Sequence, residues 1–161
     1  MSENKKGLSL KNSVVILRIL IGWHFLYEGI IKLYNPEWTS FGYLASAQGP
    51  LKQVFMEMTN PAIINWIDSL NVVALIVVGL TFILGFSEKK GAIVGIGLLA
   101  MYYLAHPPFP WLDQLNTEGN YWFVNKNLIE LAACLVIYYL PTGDYLGLNR
   151  VFKKNKEEIK K

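Results

Sequence analysis

The sequence holds one cysteine in 161 residues, Cys134. A single thiol can form no internal disulfide, no Cys-x-x-Cys redox pair and no thiolate metal cluster, so any redox chemistry needs another carrier. Charge is also scarce: Asp, Glu, Lys and Arg make up 17% of the chain, against roughly 25% in soluble domains. No acidic or basic side chain occurs from Leu70 to Phe86 or from Gly91 to Ala105, and only Glu130 interrupts Leu128 to Leu140. Between Ser13 and Leu33 only Arg18, His24, Glu28 and Lys32 break the apolar run. Too few polar residues remain to cover the outer faces of a soluble helical bundle. Phosphate-binding loops, dinucleotide fingerprints and Ser/His/Asp arrangements are missing as well, and the first apolar segment lacks the small-residue cleavage site of a signal peptide.

What is present is a chain patterned for the bilayer. A hydrocarbon core about 30 Å thick needs roughly 20 helical residues at about 1.5 Å each. Four apolar stretches meet this, over residues 13–33, 66–86, 88–105 and 122–140. The expected fold is an all-α integral membrane protein, four transmembrane helices in one bundle (13–147). A polar head (1–12) precedes it and a basic tail (148–161) follows. Ser13 and Ser87 read as helix caps, Asn60-Pro61 as the start of the second helix, and Tyr121-Trp122-Phe123 as the aromatic start of the fourth. Between the first two helices, Asn35-Pro36-Glu37 opens one short helix, and Leu51, Val54, Phe55 and Met58 line one face of another. Both are expected to lie at the membrane surface. Gly91, Gly95 and Gly97 give the third helix a smooth packing face.

Eleven of the 15 Lys and Arg residues fall in the head, the tail and the Lys89-Lys90 loop. All of these lie on one expected side of the membrane, which places both termini in the cytoplasm. That clustering assigns the net charge of +3 to anionic lipid headgroups rather than to nucleic acid.

Ionisable groups inside a span are functional candidates by default. His24, Glu28 and Lys32 share one face of the first helix at i, i+4 and i+8, and Lys126 precedes Glu130 by one turn on the fourth. In both helices the lysine lies one turn further outward than the glutamate. Two readings follow: two separate intrahelical ion pairs with snorkelling lysines, or one shared polar pocket open to the outer side. In the shared pocket Glu28, Glu130 and His24 are the candidates for proton handling. Lys32, Lys126, Asn127, Trp38, Trp111 and His106 are candidates for binding substrate or a quinone ring. Arg18 either snorkels to the inner headgroups or anchors a buried network or anion. His24 and His106 stand at different depths, which argues against a haem between them. His106, Asp113 and Glu118 match no metal-ligand spacing. No haem, flavin or metal is expected.

The pattern Arg18-x-x-x-Gly22-x-x-Phe25-Leu26-x-x-Gly29-x-x-Lys32-Leu33 resembles the first helix of the DoxX/DoxD family of small four-helix membrane proteins. Leu84-Gly85 and Asn125-Lys126-Asn127-Leu128-Ile129-Glu130 are similar to the family at the corresponding places, so the resemblance runs from Ser13 to Gly147. It implies a bacterial or archaeal cytoplasmic membrane. It also implies a link to thiosulfate:quinone oxidoreductase, whose large subunit is DoxD-like and works with a small partner subunit. The expected function is a subunit of a quinone-linked oxidoreductase acting on a small sulfur compound such as thiosulfate, with quinone as cofactor. The alternative is a non-catalytic scaffold or receptor for a lipid, a partner subunit or a periplasmic protein. Oligomerisation is left open.

Overall fold

The structure is a computed structural model that describes residues 2–112 and 121–159, with side chains from residue 7 to residue 155 within those limits. All named elements among the described residues are helices: α1 Ser2–Leu33, α2 Phe41–Ala45, α3 Lys52–Glu57, α4 Ile64–Leu84, α5 Glu88–Ala105, α6 Lys126–Tyr139 and α7 Leu148–Ile159. α1 packs on α4, α4 on α5, α5 on α6, and α6 returns to α1. One end of this arrangement, the loop end, carries α2, α3 and the segment after α5. The other, the tail end, carries the start of α7.

Among the described residues, two helices are long and apolar enough to cross a bilayer, Gly7–Leu33 with mean hydropathy 1.7 and Ile64–Leu84 with 2.3. The packed centre is narrow. Phe25, Leu75, Val78, Phe82, Leu99, Cys134 and Ile137 fill it. Leu20, Trp23, Leu70, Val73, Ile93 and Ile129 instead stand outward and exposed. A water-soluble domain does not present an apolar belt of this extent, because nothing offsets its hydration cost.

α1 packs closely on α4 through Gly22, Gly29 and Gly79. A Cβ on Gly79 would fall 2.6 Å from the Leu26 backbone nitrogen. The expected glycine face on α5 is half used: Gly91 and Gly95 lie against Thr81 and Val78, while Gly97 borders open space. A second apolar cluster of Leu44, Ala47, Phe55 and Ala105 closes the loop end. It is pinned where Gln48 and Gly49 both donate from their backbone nitrogens to the Ala105 carbonyl, at 2.9 and 3.1 Å.

Several expected boundaries shift, each for a local reason. Residues 2–12 are not a separate head but the first turns of α1. Ser13 does not cap a helix; its hydroxyl donates to the Ser9 carbonyl one turn back. Asn35-Pro36-Glu37 forms a turn rather than a helix start, with the Asn35 side chain accepting from the Glu37 nitrogen. α4 begins at Ile64 because Asn60 accepts from the Ala62 nitrogen and holds residues 61–63 in a turn. Ser87 precedes α5 in a left-handed conformation (φ 53°) with no side-chain cap bond. α6 begins at Lys126 rather than near Tyr121, because residues 121–124 close on themselves through two backbone hydrogen bonds. Asn125 then supplies the side-chain cap to the Leu128 nitrogen. The basic tail is helical from Leu148 to Ile159.

Candidate functional site

At the loop end, α1, α4, α5 and α6 diverge around a cavity of about 300 Å³. Its floor is apolar, made by Phe25, Leu75 and Leu99, and its walls carry His24, Glu28, Lys32, Lys126, Asn127 and Glu130. Helical periodicity alone places the α1 trio on one face. Only packing turns the α6 pair toward it.

His24 sits between the two carboxylates. Its Nδ1 is 2.9 Å from Glu130 Oε1 and its Nε2 is 3.9 Å from Glu28 Oε1. The shorter contact is an ion-pair distance without hydrogen-bond alignment, since His24 Nδ1 has no hydrogen-bond partner. Lys32 pairs with Glu28 across one helical turn, and its ammonium lies 5.7 Å from the centre of the Trp38 ring. Lys126 makes no hydrogen bond or ion pair with a described residue. Its charge also acts on Glu28 across the cavity. The groups are partly hydrated: His24 and Glu28 are about a third exposed, Lys32 18% and Glu130 15%. This setting lets protons enter and leave while still favouring electrostatic coupling among neighbours.

Polar groups of the loop segment and of α4 and α5 complete the walls. Asn71 donates to the Tyr102 hydroxyl at 2.7 Å, and its own carbonyl oxygen is buried without a partner. Tyr43 donates from its hydroxyl to the Tyr102 carbonyl at 3.0 Å. Burial, and next the proximity of Tyr102, pushes the Tyr43 hydroxyl well above its usual range, so Tyr43 is a neutral donor. Asp68 accepts from the Ser40 nitrogen at 2.9 Å and from its hydroxyl, tying the segment that carries Trp38 onto α4. Asn71 and Tyr102 escaped a search of the spans limited to acidic and basic groups. An amide interrupting Leu70 to Phe86 was the available signal.

Two sequence candidates, His106 and Trp111, are not among the residues lining the cavity. His106 donates from Nε2 to the Tyr43 carbonyl at 2.8 Å and packs against the Tyr43 ring at a tilt of 60°, supporting the wall from behind. Trp111 is exposed and stacks on Phe109. Asp113 and Glu118 lie outside the described residues.

Arg18 belongs to a different place. At the tail end it forms a buried ion pair with Glu88, donates to the Thr142 hydroxyl at 3.0 Å and to the Leu146 carbonyl at 2.7 Å. The second Glu88 oxygen accepts from the Thr142 nitrogen at 2.7 Å. This resolves the alternatives for Arg18: it is the anchor of a buried network and does not snorkel. Glu88, in the first turn of α5, is the counter-ion of that arginine. A buried arginine about halfway along α1 demands such a partner, and only the fold identifies which carboxylate supplies it.

The family model for DoxX matches residues 13–107. The chain belongs to the DoxX family. Neither a curated protein nor a solved structure matches it. Membership, with the two long apolar helices and the exposed apolar belt, marks a membrane protein. The matched region takes in α1 to α5 and so includes His24, Glu28, Lys32, Arg18 and Glu88. Lys126 and Glu130 on α6 lie beyond it.

Proposed function

We propose that this chain crosses the cytoplasmic membrane four times with both ends inside, so that the cavity at the loop end faces the outer side. The cavity is then the quinone-handling site of an oxidoreductase subunit drawing electrons from a small sulfur compound such as thiosulfate. In this reading α2 and α3 lie at the outer membrane surface. A small partner subunit completes the route from the donor.

The observation that carries the reading is His24 held between Glu28 and Glu130 in a cavity that Lys126 also lines. A quinone supplies a two-electron acceptor that takes up two protons on reduction. The donor set fits such a head group. Lys126 can donate to a ring carbonyl, Trp38 offers a flat face, and the apolar floor excludes water. The volume lies at the low end of the roughly 300–1,000 Å³ of small-molecule sites, suited to a single ring. At 2.9 Å from Glu130 and 3.9 Å from Glu28, His24 is placed to hand a proton between the carboxylates once a side-chain rotation aligns the donors and acceptors.

The test is direct. Protein extracted from native membranes is expected to carry quinone, detected by its ultraviolet spectrum after solvent extraction, and Lys126→Ala is expected to lower the bound amount. Quinone content independent of Lys126 and of both glutamates would leave the scaffold reading. The crossing pattern is tested separately, in a Cys134→Ala background. A cysteine replacing Lys52 is expected to react with an impermeant thiol reagent in intact cells, and one replacing Lys154 only after permeabilisation.

A further inference from the structure

The tail end carries an amphipathic helix that the proposed function leaves unused. α7 begins directly after the buried arginine network and is fastened to it by backbone hydrogen bonds. Asn149 donates to the Gly85 carbonyl and Arg150 to the Gly143 carbonyl, each at 3.3 Å. Leu148, Val151 and Phe152 fall at i, i+3 and i+4, one apolar face, and all three are exposed. That face is continuous with the flank of α4: the Phe152 ring packs 5.5 Å from that of Phe86, beside exposed Leu84. The apolar strip thus runs off the end of a helix long enough to cross the bilayer and turns along α7.

Of the other α7 positions with described side chains, Asn149 and Asn155 are neutral and three are basic, and Lys156, Glu157 and Glu158 follow in the sequence. Arg150, Lys153 and Lys154 lie off the apolar face, and Lys153 pairs with Asp144 at 3.2 Å, the nearest carboxylate engaged there. Lys89 and Lys90, at the start of α5, line a cleft of about 310 Å³ that Asn149 also borders. Glu88 and Asp144 border it too, but the first is committed to Arg18 and the second to Lys153.

We propose that α7 lies in the plane of the bilayer surface and that its basic face, with Lys89 and Lys90, is a docking site for anionic phospholipid headgroups. The proposal rests on the four-crossing reading. A helix whose apolar face continues a lipid-facing flank enters the headgroup boundary without further distortion, and cations beside it draw acidic lipids. Because α7 is hydrogen-bonded to Gly85 and Gly143, headgroup binding bears directly on the turn that closes over Arg18.

The experiment uses the full chain in the Cys134→Ala background, with an environment-sensitive dye on a cysteine at Val151 or, as control, at outward-facing Val77 of α4. Vesicles are phosphatidylcholine alone, or phosphatidylcholine with part replaced by phosphatidylglycerol, and each carries a nitroxide-labelled lipid quencher. The Val77 dye is expected to be quenched equally in both. The Val151 dye is expected to be quenched more strongly with phosphatidylglycerol. Lys153→Gln and Lys154→Gln are each expected to lower the docked-to-free ratio of α7 about fivefold. Equal quenching of the Val151 dye in the two vesicles, or no response to the lysine substitutions, overturns the proposal. So does protection of Val151 that grows with protein density in phosphatidylcholine, which would assign the face to a second copy. Absence of quenching at Val77 would instead remove the four-crossing reading beneath it.

Discussion

Arg18 and Glu88 at the tail end are each 1% exposed, and the network around them fills its space, with Thr142 and the Leu146 carbonyl taking further hydrogen bonds. At the loop end, His24, Glu28, Glu130 and Lys32 use the same kinds of group but stay 15–33% exposed around a cavity. Both clusters join α1 to other helices by charge inside an apolar bundle. The difference lies in what remains uncommitted. At the tail end the two ions are matched and little is left to interact, save Arg18 Nε. At the loop end Lys126 and several carboxylate and amide lone pairs still border the cavity. Closed charge networks hold a fold together; open ones remain available for a ligand.

The comparison can be broken at either end, and stability should report the ends in order. Arg18→Met should have the largest effect, because it strands a buried carboxylate. A loss of about 3–5 kcal/mol is expected in denaturant unfolding in detergent followed by circular dichroism. The Arg18→Met/Glu88→Met double variant should recover most of it. If the double is as unstable as the single, the network contributes more than charge matching. Gly85→Ala comes next. Gly85 has φ +63°, and its added Cβ would meet Arg18 Nη1 at 2.7 Å and Gly147 Cα at 2.8 Å. About 1–3 kcal/mol is expected, and a neutral result would mean that the turn after α4 can move aside.

The loop end should behave differently. Glu28→Gln and Glu130→Gln should change stability by about 1 kcal/mol or less, since these groups are partly hydrated. Each should lower quinone reduction in native membranes by roughly 10²-fold, because the amide cannot exchange the proton. The double variant should be little worse than either, as expected of groups acting as one unit. Full activity in the double variant would abolish the proposed distinction between the two ends. His24→Ala should fall between full and lost activity if the ring passes protons from one carboxylate to the other. Lys32→Ala should be smallest in stability, about 0.5 kcal/mol for a solvent-accessible i, i+4 pair. A larger loss would show that Lys32 is needed to keep Glu28 charged.

The sequence by itself determined the helical class, the long apolar segments and the face shared by His24, Glu28 and Lys32. All three follow from local periodicity and composition, which a single chain displays without its partners. It also singled out Lys126 and Glu130, one turn apart. Whether that turn faced His24 depended on the rotation of α6 about its axis, which side chains across the bundle set. Arg18 was visible as an anomaly, but Glu88, 70 residues away, became its counter-ion only when the turn after α4 and the turn after α6 met. Asn71 and Tyr102 joined the cavity for the same reason. The aromatic run at 121–123 points to a helix start, yet a short closed turn absorbs it and Asn125 supplies the cap. Pairings between distant segments are decided by tertiary packing, since desolvating a charge is tolerable only where the fold delivers a partner.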